Sequence, residues 1–226
     1  MPDYLPLCVF RQELLPVACR SCAWWQTTGS SPKSPELAGD RRRQWMTGLE
    51  PTWGSTGLLL AGNGPAPSAG TPDVGAPARV PNVVASISYA PAAAVPRLRD
   101  LPFAPLPVGA VLLFCLRSEG NHGQLKAKRL LHKALAQLKE REAQEVYAIA
   151  SLAGSPEHTD HCQFFSLGFL EANGFERVRE DGRLFLMRAD LRGLLSLITQ
   201  VEALVRRVLR NDPAPSPATW TRPRAS

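Results

Sequence analysis

The chain has 226 residues, 44% of them hydrophobic, with 26 Lys and Arg against 20 Asp and Glu for a formal net charge of +6. That is enough apolar material for one good-sized core, whereas a modest basic excess spread along the chain favours anionic partners without defining a nucleic-acid surface. The five cysteines follow no disulfide rhythm, and neither a signal peptide nor an apolar run of membrane-spanning length is read; the expectation is a reduced, soluble, cytoplasmic protein with no membrane or nucleic-acid partner.

Leu5 to Gln12 has the short apolar character of a strand, ending at Pro16. Cys19-Arg20-Ser21-Cys22-Ala23-Trp24-Trp25 follows. A C-x-x-C can grip a metal or close a short disulfide, but its one possible completion, His158, His161 and Cys162, is far away in sequence. The motif is therefore read as two packed thiols beside a tryptophan pair that seats a helix on the sheet, and no metal site is expected.

Ser34-Pro35-Glu36 opens a helix running to Leu49, with Pro at the first helical position and an acid in the first turn. Gly57 to Leu60 reads as a strand. Residues 61–81 hold 14 Gly, Pro or Ala among 21, a composition that cannot offset its ordering entropy, so a flexible insertion is expected there. Asn82 to Tyr89 is the next strand, and Pro96 to Pro107 an irregular loop.

Residues 110–151 form the central unit. An apolar run from Ala110, the Gly-bearing turn Glu119 to Gln124, a helix with Leu131, Ala134, Leu135 and Leu138 on one face, and a second apolar run make a strand, helix, strand. Such a turn at a helix N-terminus suits a phosphate. Polar residues 154–160 lead into a helix over His161 to Ala172, capped at Asn173-Gly174. Phe175 to Glu180 and Arg183 to Asp190 make a hairpin turning at Asp181-Gly182. Leu191, Leu194, Ile198, Val201, Val205 and Val208 line one face of a last amphipathic helix, 191–210, which docks on the domain or on a second copy; 211–226 is expected to be a disordered tail.

This order, with the glycine-bearing turn, the run Phe169-Leu170-Glu171-Ala172-Asn173-Gly174-Phe175 and the opening C-x-x-C-x-W-W, resembles the GNAT superfamily of acetyl-CoA-dependent N-acetyltransferases, and within it a bacterial subgroup with that opening. The resemblance covers roughly Leu5 to Asp190. It implies an α/β (α+β) domain over residues 1–190, with a mixed, mostly antiparallel twisted sheet, the central strand-helix-strand unit and flanking helices. It implies transfer of an acetyl group from acetyl-CoA to an amine, on a small molecule or a protein. The alternative is a catalytically degenerate GNAT-fold module that binds a partner or forms a homodimer through 191–210; a zinc-dependent nucleic-acid binder is a third reading.

The resemblance also implies a cofactor set. The strand before the main helix would pair its free main chain with the pantetheine arm at Phe114, Cys115, Leu116 and Arg117. The pyrophosphate turn would fall on His122, Gly123, Gln124, Leu125, Lys126 and Ala127, with Asn173 from the later helix completing the set. His122 stands where the pattern has Gln or Arg, and Leu125 where it has its central Gly; Lys126, Lys128 and Arg129 could supply charge. No catalytic residue is assigned, since the penultimate helix carries no tyrosine. Glu119, Glu145 and Cys162 are conceivable proton carriers, each with a structural reading beside it, and Tyr89 and Tyr147 are read as core.

Overall fold

A computed structural model describes residues 3–65, 81–118, 123–152 and 164–192. The chain divides into two units, Met1–Leu191 and Arg192–Ser226, and all but one of the described residues belong to the first. The strands are β1 (Asp3–Pro6), β2 (Gly57–Pro65), β3 (Pro81–Pro91), β4 (Val111–Ser118), β5 (Glu145–Ser151), β6 (Phe165–Ser166), β7 (Glu176–Asp181) and β8 (Leu184–Asp190). They form a sheet in the order β1-β2-β3-β4-β5-β8-β7, with β6 pairing β5 off this path. Only β4–β5 and β5–β6 are parallel; the other pairs are antiparallel. The helices are α1 (Val17–Arg20), α2 (Pro35–Trp53), α3 (Gly123–Glu140) and α4 (Leu167–Glu171).

The parallel β4–β5 pair is joined by α3, as the alternation of two apolar runs around a helical face requires. Leu130, Leu131, Ala134 and Leu138 of α3 are fully buried. The Tyr89 hydroxyl of β3 donates to Gln137 Oε1 of α3 at 2.5 Å, so Tyr89 and its β4 partner Leu113 face α3. Alternation turns Leu112 and Phe114 to the opposite face, into a cluster with Trp25, Ala90, Phe103, Ile149 and Leu186 on which Trp45 and Leu49 of α2 pack.

Burial pushes the Tyr89 phenol above its ordinary value, against the opposing pull of the Arg141 guanidinium. Unfolding exposes a tyrosine that ionises near pH ~10, while the folded chain keeps this one protonated. Stability should therefore fall as pH rises past about 10, and Tyr89→Phe should make that fall shallower in thermal unfolding followed against pH. An unchanged slope would reject the assignment.

Several expected boundaries move. The first strand stops at Pro6, and Val9–Leu14 is a 3-10 helix. The reason is register: β1 ends opposite Leu58, near the start of β2, so beyond Leu7 there is no neighbour left to pair with. The Val9 N–H instead donates to the Glu50 carboxylate at 2.5 Å. Helix α2 starts as expected, with the Ser34 hydroxyl accepting from the Leu37 N–H at 3.2 Å, but continues past Leu49 to Trp53. Pro51 falls in its last turn, where it removes the bond to the Thr47 carbonyl one turn before the helix ends, and Gly54 closes it at φ +84°.

The insertion is entered and left by strand residues, since β2 reaches Pro65 and β3 starts at Pro81; the rest of 61–81 lies outside the described residues. The loop from Pro96 begins with the 3-10 turn Pro96–Asp100. Its Arg97 is buried, donating to Trp24 O, Gly29 O and Asp100 and stacking on the Trp24 ring at 4.6 Å. The expected helix over His161 to Ala172 is cut back to α4, because Phe165–Ser166 pair with Ala150–Ser151 of β5. Its cap is as expected: Gly174 has φ +84° and the Phe175 N–H reaches back to Leu170 O at 3.1 Å. The hairpin β7–β8 turns at Gly182 as expected. The expected helix 191–210 lies outside the described residues from 193 onward.

Candidate functional site

β4 and β5 pair only at Val111↔Val146, Leu112↔Tyr147 and Leu113↔Ala148. On its other side β4 continues to Ser118 against β3, but with a shift in register: Ser88 faces Phe114 and Ser86 faces Arg117. Two residues, Cys115 and Leu116, therefore oppose one, which is a β-bulge, and Cys115 takes φ +54°. The bulge bends β4 away, and Ala150–Ser151 of β5 pair with β6 instead. A stretch of β4 is left with no strand on its β5 side.

That parting opens a cleft of about 640 Å³. Leu116 and Ser118 of β4 form one wall, and Gln124, Leu125, Ala127 and Lys128 of α3 another. Phe164, Phe165, Ser166, Gly168, Phe169, Ala172 and Asn173 close the third side. Its lining is largely apolar and carries one cation, Lys128, and no acid among the described residues. The first turn of α3 brings the positive end of the helix dipole to the cleft. An extended ligand bearing amides and anionic groups is the kind of molecule such a cleft can hold.

Of the residues singled out in the sequence, Leu116, Gln124, Leu125, Ala127 and Asn173 line the cleft. Phe114 does not: its side chain is fully buried on the opposite face, and only its main chain borders the parting. Cys115 is buried at the bulge, and Arg117 and Lys126 are half-buried outside the lining. Gly123 opens α3, where an added Cβ would sit 3.1 Å from Ser118 Oγ. His122 lies outside the described residues. Leu125 is 56% exposed, so its side chain projects at the rim. Asn173 is tied on both sides, its Nδ2 donating to Phe169 O at 2.7 Å and its Oδ1 lying 3.0 Å from His132 Nε2.

Of the third wall, sequence reasoning named Asn173 as a site residue and missed the rest. Phe165 and Ser166 read as helix there, and no local signal marks a two-residue parallel strand.

Glu145 stands at the opposite end of β5 from the cleft, against Arg188 at 3.5 Å and the Tyr147 hydroxyl at 2.9 Å. Burial, reinforced by Glu145, raises the Tyr147 phenol above its ordinary value. This group is a structural network. Glu119 and Cys162 lie outside the described residues. The Cys19 and Cys22 carbonyls both accept from the buried Arg42 guanidinium, at 2.7 and 3.3 Å, which ties the motif to α2. Among the described residues no three His, Cys, Asp or Glu side chains gather to hold a metal, and no helix is long and apolar enough to cross a membrane.

No family model and no curated protein matches this sequence. Solved structures do match. An N-acetyltransferase from Staphylococcus aureus Mu50 is similar over 84% of this chain and 99% of its own, at 12% identity and a TM-score of 0.50. A provisionally assigned phosphinothricin N-acetyltransferase is similar over 84% of this chain and 99% of its own, at 16% identity and a TM-score of 0.50. The PaiA N-acetyltransferase from Thermoplasma acidophilum, solved in complex with coenzyme A, reaches a TM-score of 0.48 at 13% identity, over 84% of this chain and 99% of its own. At these identities the likeness is one of fold: the mixed sheet with its strand-helix-strand unit matches the fold of GNAT-superfamily acetyltransferases.

Proposed function

We propose that this chain is an acetyl-CoA-dependent N-acetyltransferase, a divergent member of the bacterial GNAT subgroup with the C-x-x-C-x-W-W opening, acting in the cytoplasm on an amine of a small molecule or a protein. The observation that carries this reading is the parting of β4 from β5 after Leu113 beside the N-terminus of α3, in a chain of this fold. An amide-bearing arm can lie along the free edge of Phe114, Cys115, Leu116 and Arg117 as a further strand would. The pyrophosphate then meets the first turn of α3, at Gly123, Gln124, Leu125, Lys126 and Ala127, with Lys128 supplying charge and Asn173 bounding the far side.

A ligand present at 100 times its dissociation constant stabilises the folded state by about 2.7 kcal/mol. Acetyl-CoA and CoA should therefore each raise the unfolding temperature, and absence of a shift with millimolar acetyl-CoA would overturn the reading. The second reading, a GNAT-fold module without catalysis, with homodimerisation through 191–210, is favoured by the apolar Leu125 at the phosphate turn and by the lack of a tyrosine among the residues lining the cleft. Its signature is no acetyl transfer to any amine of a broad panel, together with self-association that is lost on changing Ile198 and Val205 to Asp.

A further inference from the structure

Trp25 heads the fully buried side chains by size and is 2% exposed, yet its indole Nε1–H has no hydrogen-bond partner. The neighbouring Trp45 Nε1–H, by contrast, donates to Ala94 O at 2.6 Å. A buried donor left unpaired is costly, and native chains keep few of them. The position of this one is informative. Its ring lies 5.3 Å from Phe114, the last residue of β4 before the bulge, and 6.2 Å from Phe164, a ring that also lines the cleft. The Trp25 ring thus packs between Phe114 at the bulge and Phe164 on the cleft wall, in the layer of side chains directly behind that wall.

Resting on the proposed reading of the cleft, we infer that Trp25 binds the carbonyl oxygen of the acyl thioester through its indole N–H. CoA carries no such oxygen at its sulfur, so this donor separates acetyl-CoA from CoA. In the transfer, the amine nitrogen forms the C–N bond with its lone pair, and the carbonyl π pair moves onto oxygen. That pair returns as the C–S bond breaks, and the departing thiolate takes the proton the amine gives up. Negative charge gathers on the oxygen between the two steps, where a fixed donor in a dry site is most effective. Phe164, half-buried and edge-on to both Trp24 and Trp25, is the ring the acyl group passes.

Trp25→Phe removes the N–H and keeps an aromatic ring. Titration calorimetry of the full chain with acetyl-CoA and with CoA tests it. The wild type should bind acetyl-CoA the more tightly, and the variant should lose about tenfold in acetyl-CoA affinity, or about 1.4 kcal/mol, with CoA affinity unchanged. Both ligands binding with the same ratio in both proteins would overturn the inference alone. Neither binding the wild type would overturn the reading of the cleft, and this inference with it. Should Trp25→Phe fail to fold, the indole 1H–15N resonances of the wild type, five in number and assigned through variants of the other four tryptophans, serve instead. The Trp25 resonance should move with acetyl-CoA and stay with CoA; an equal response to both rejects the role.

Discussion

Gly168→Trp should leave the ligand-free protein as stable as the wild type while abolishing its stabilisation by acetyl-CoA. Gly168 lies on α4, lines the cleft, and a Cβ built there meets nothing within 4 Å. Gly168 is exposed and forms part of the cleft wall, so a side chain there has open space to occupy. Its φ is not in the left-handed region, so a side chain adds no backbone strain, and replacing Gly in a helix gains a few tenths of a kcal/mol to about 1 kcal/mol. An indole projecting into about 640 Å³ of cleft competes directly with any ligand. The shift worth about 2.7 kcal/mol at 100 times the dissociation constant should disappear, whereas Gly168→Ala should keep it. A Trp variant that retains the full acetyl-CoA shift would mean that the ligand lies elsewhere.

The largest stability effect is expected at Phe114. Its side chain is fully buried, with ring centroids 5.3 Å from Trp25 and 6.2 Å from Trp45. Phe114→Ala should cost about 3–5 kcal/mol through lost transfer energy and the cavity left behind, a large share of the 5–15 kcal/mol that holds an ordinary domain together. Urea unfolding should show the midpoint falling with the slope unchanged. Phe114→Leu keeps most of the apolar volume and should cost less. Because the proposed contact of Phe114 with a ligand is through its main chain, the Leu variant should still respond to acetyl-CoA. A cost below about 1 kcal/mol for Phe114→Ala would show that the cluster is not the core beneath the parting.

These two positions mark the limits of the sequence reading. Phe114 was set beside a ligand only by the resemblance to GNAT proteins; its main chain borders the parting, while alternation along β4, combined with α3 covering the other face, sends the ring into the core. Gly168 carried no signal, since the expected helix simply ran through it. Of the α3 residues that the resemblance set at a phosphate, Gln124, Leu125 and Ala127 line the cleft, whereas Lys126 lies outside the lining, as the angular spacing of a helix requires.

The amino-acid sequence by itself determined the elements whose signals are local. The α3 stripe, the Ser34 cap, the Gly174 and Gly182 turns and the apolar runs of β4 and β5 each depend on residues within a few positions of one another. Only the tertiary structure decided where elements stop and what lies between them. The 3-10 turn after Leu7 follows from where β2 begins, some fifty residues later. The shortened α4 follows from β5 offering its end to Phe165. The cleft exists because a bulge read against β3 draws β4 from β5, and the unpaired Trp25 indole lies beside it only through packing on Phe114. Such features come from pairings between distant parts of the chain, whose free energy depends on what the partner strand has left unpaired; no window of neighbouring residues contains that information.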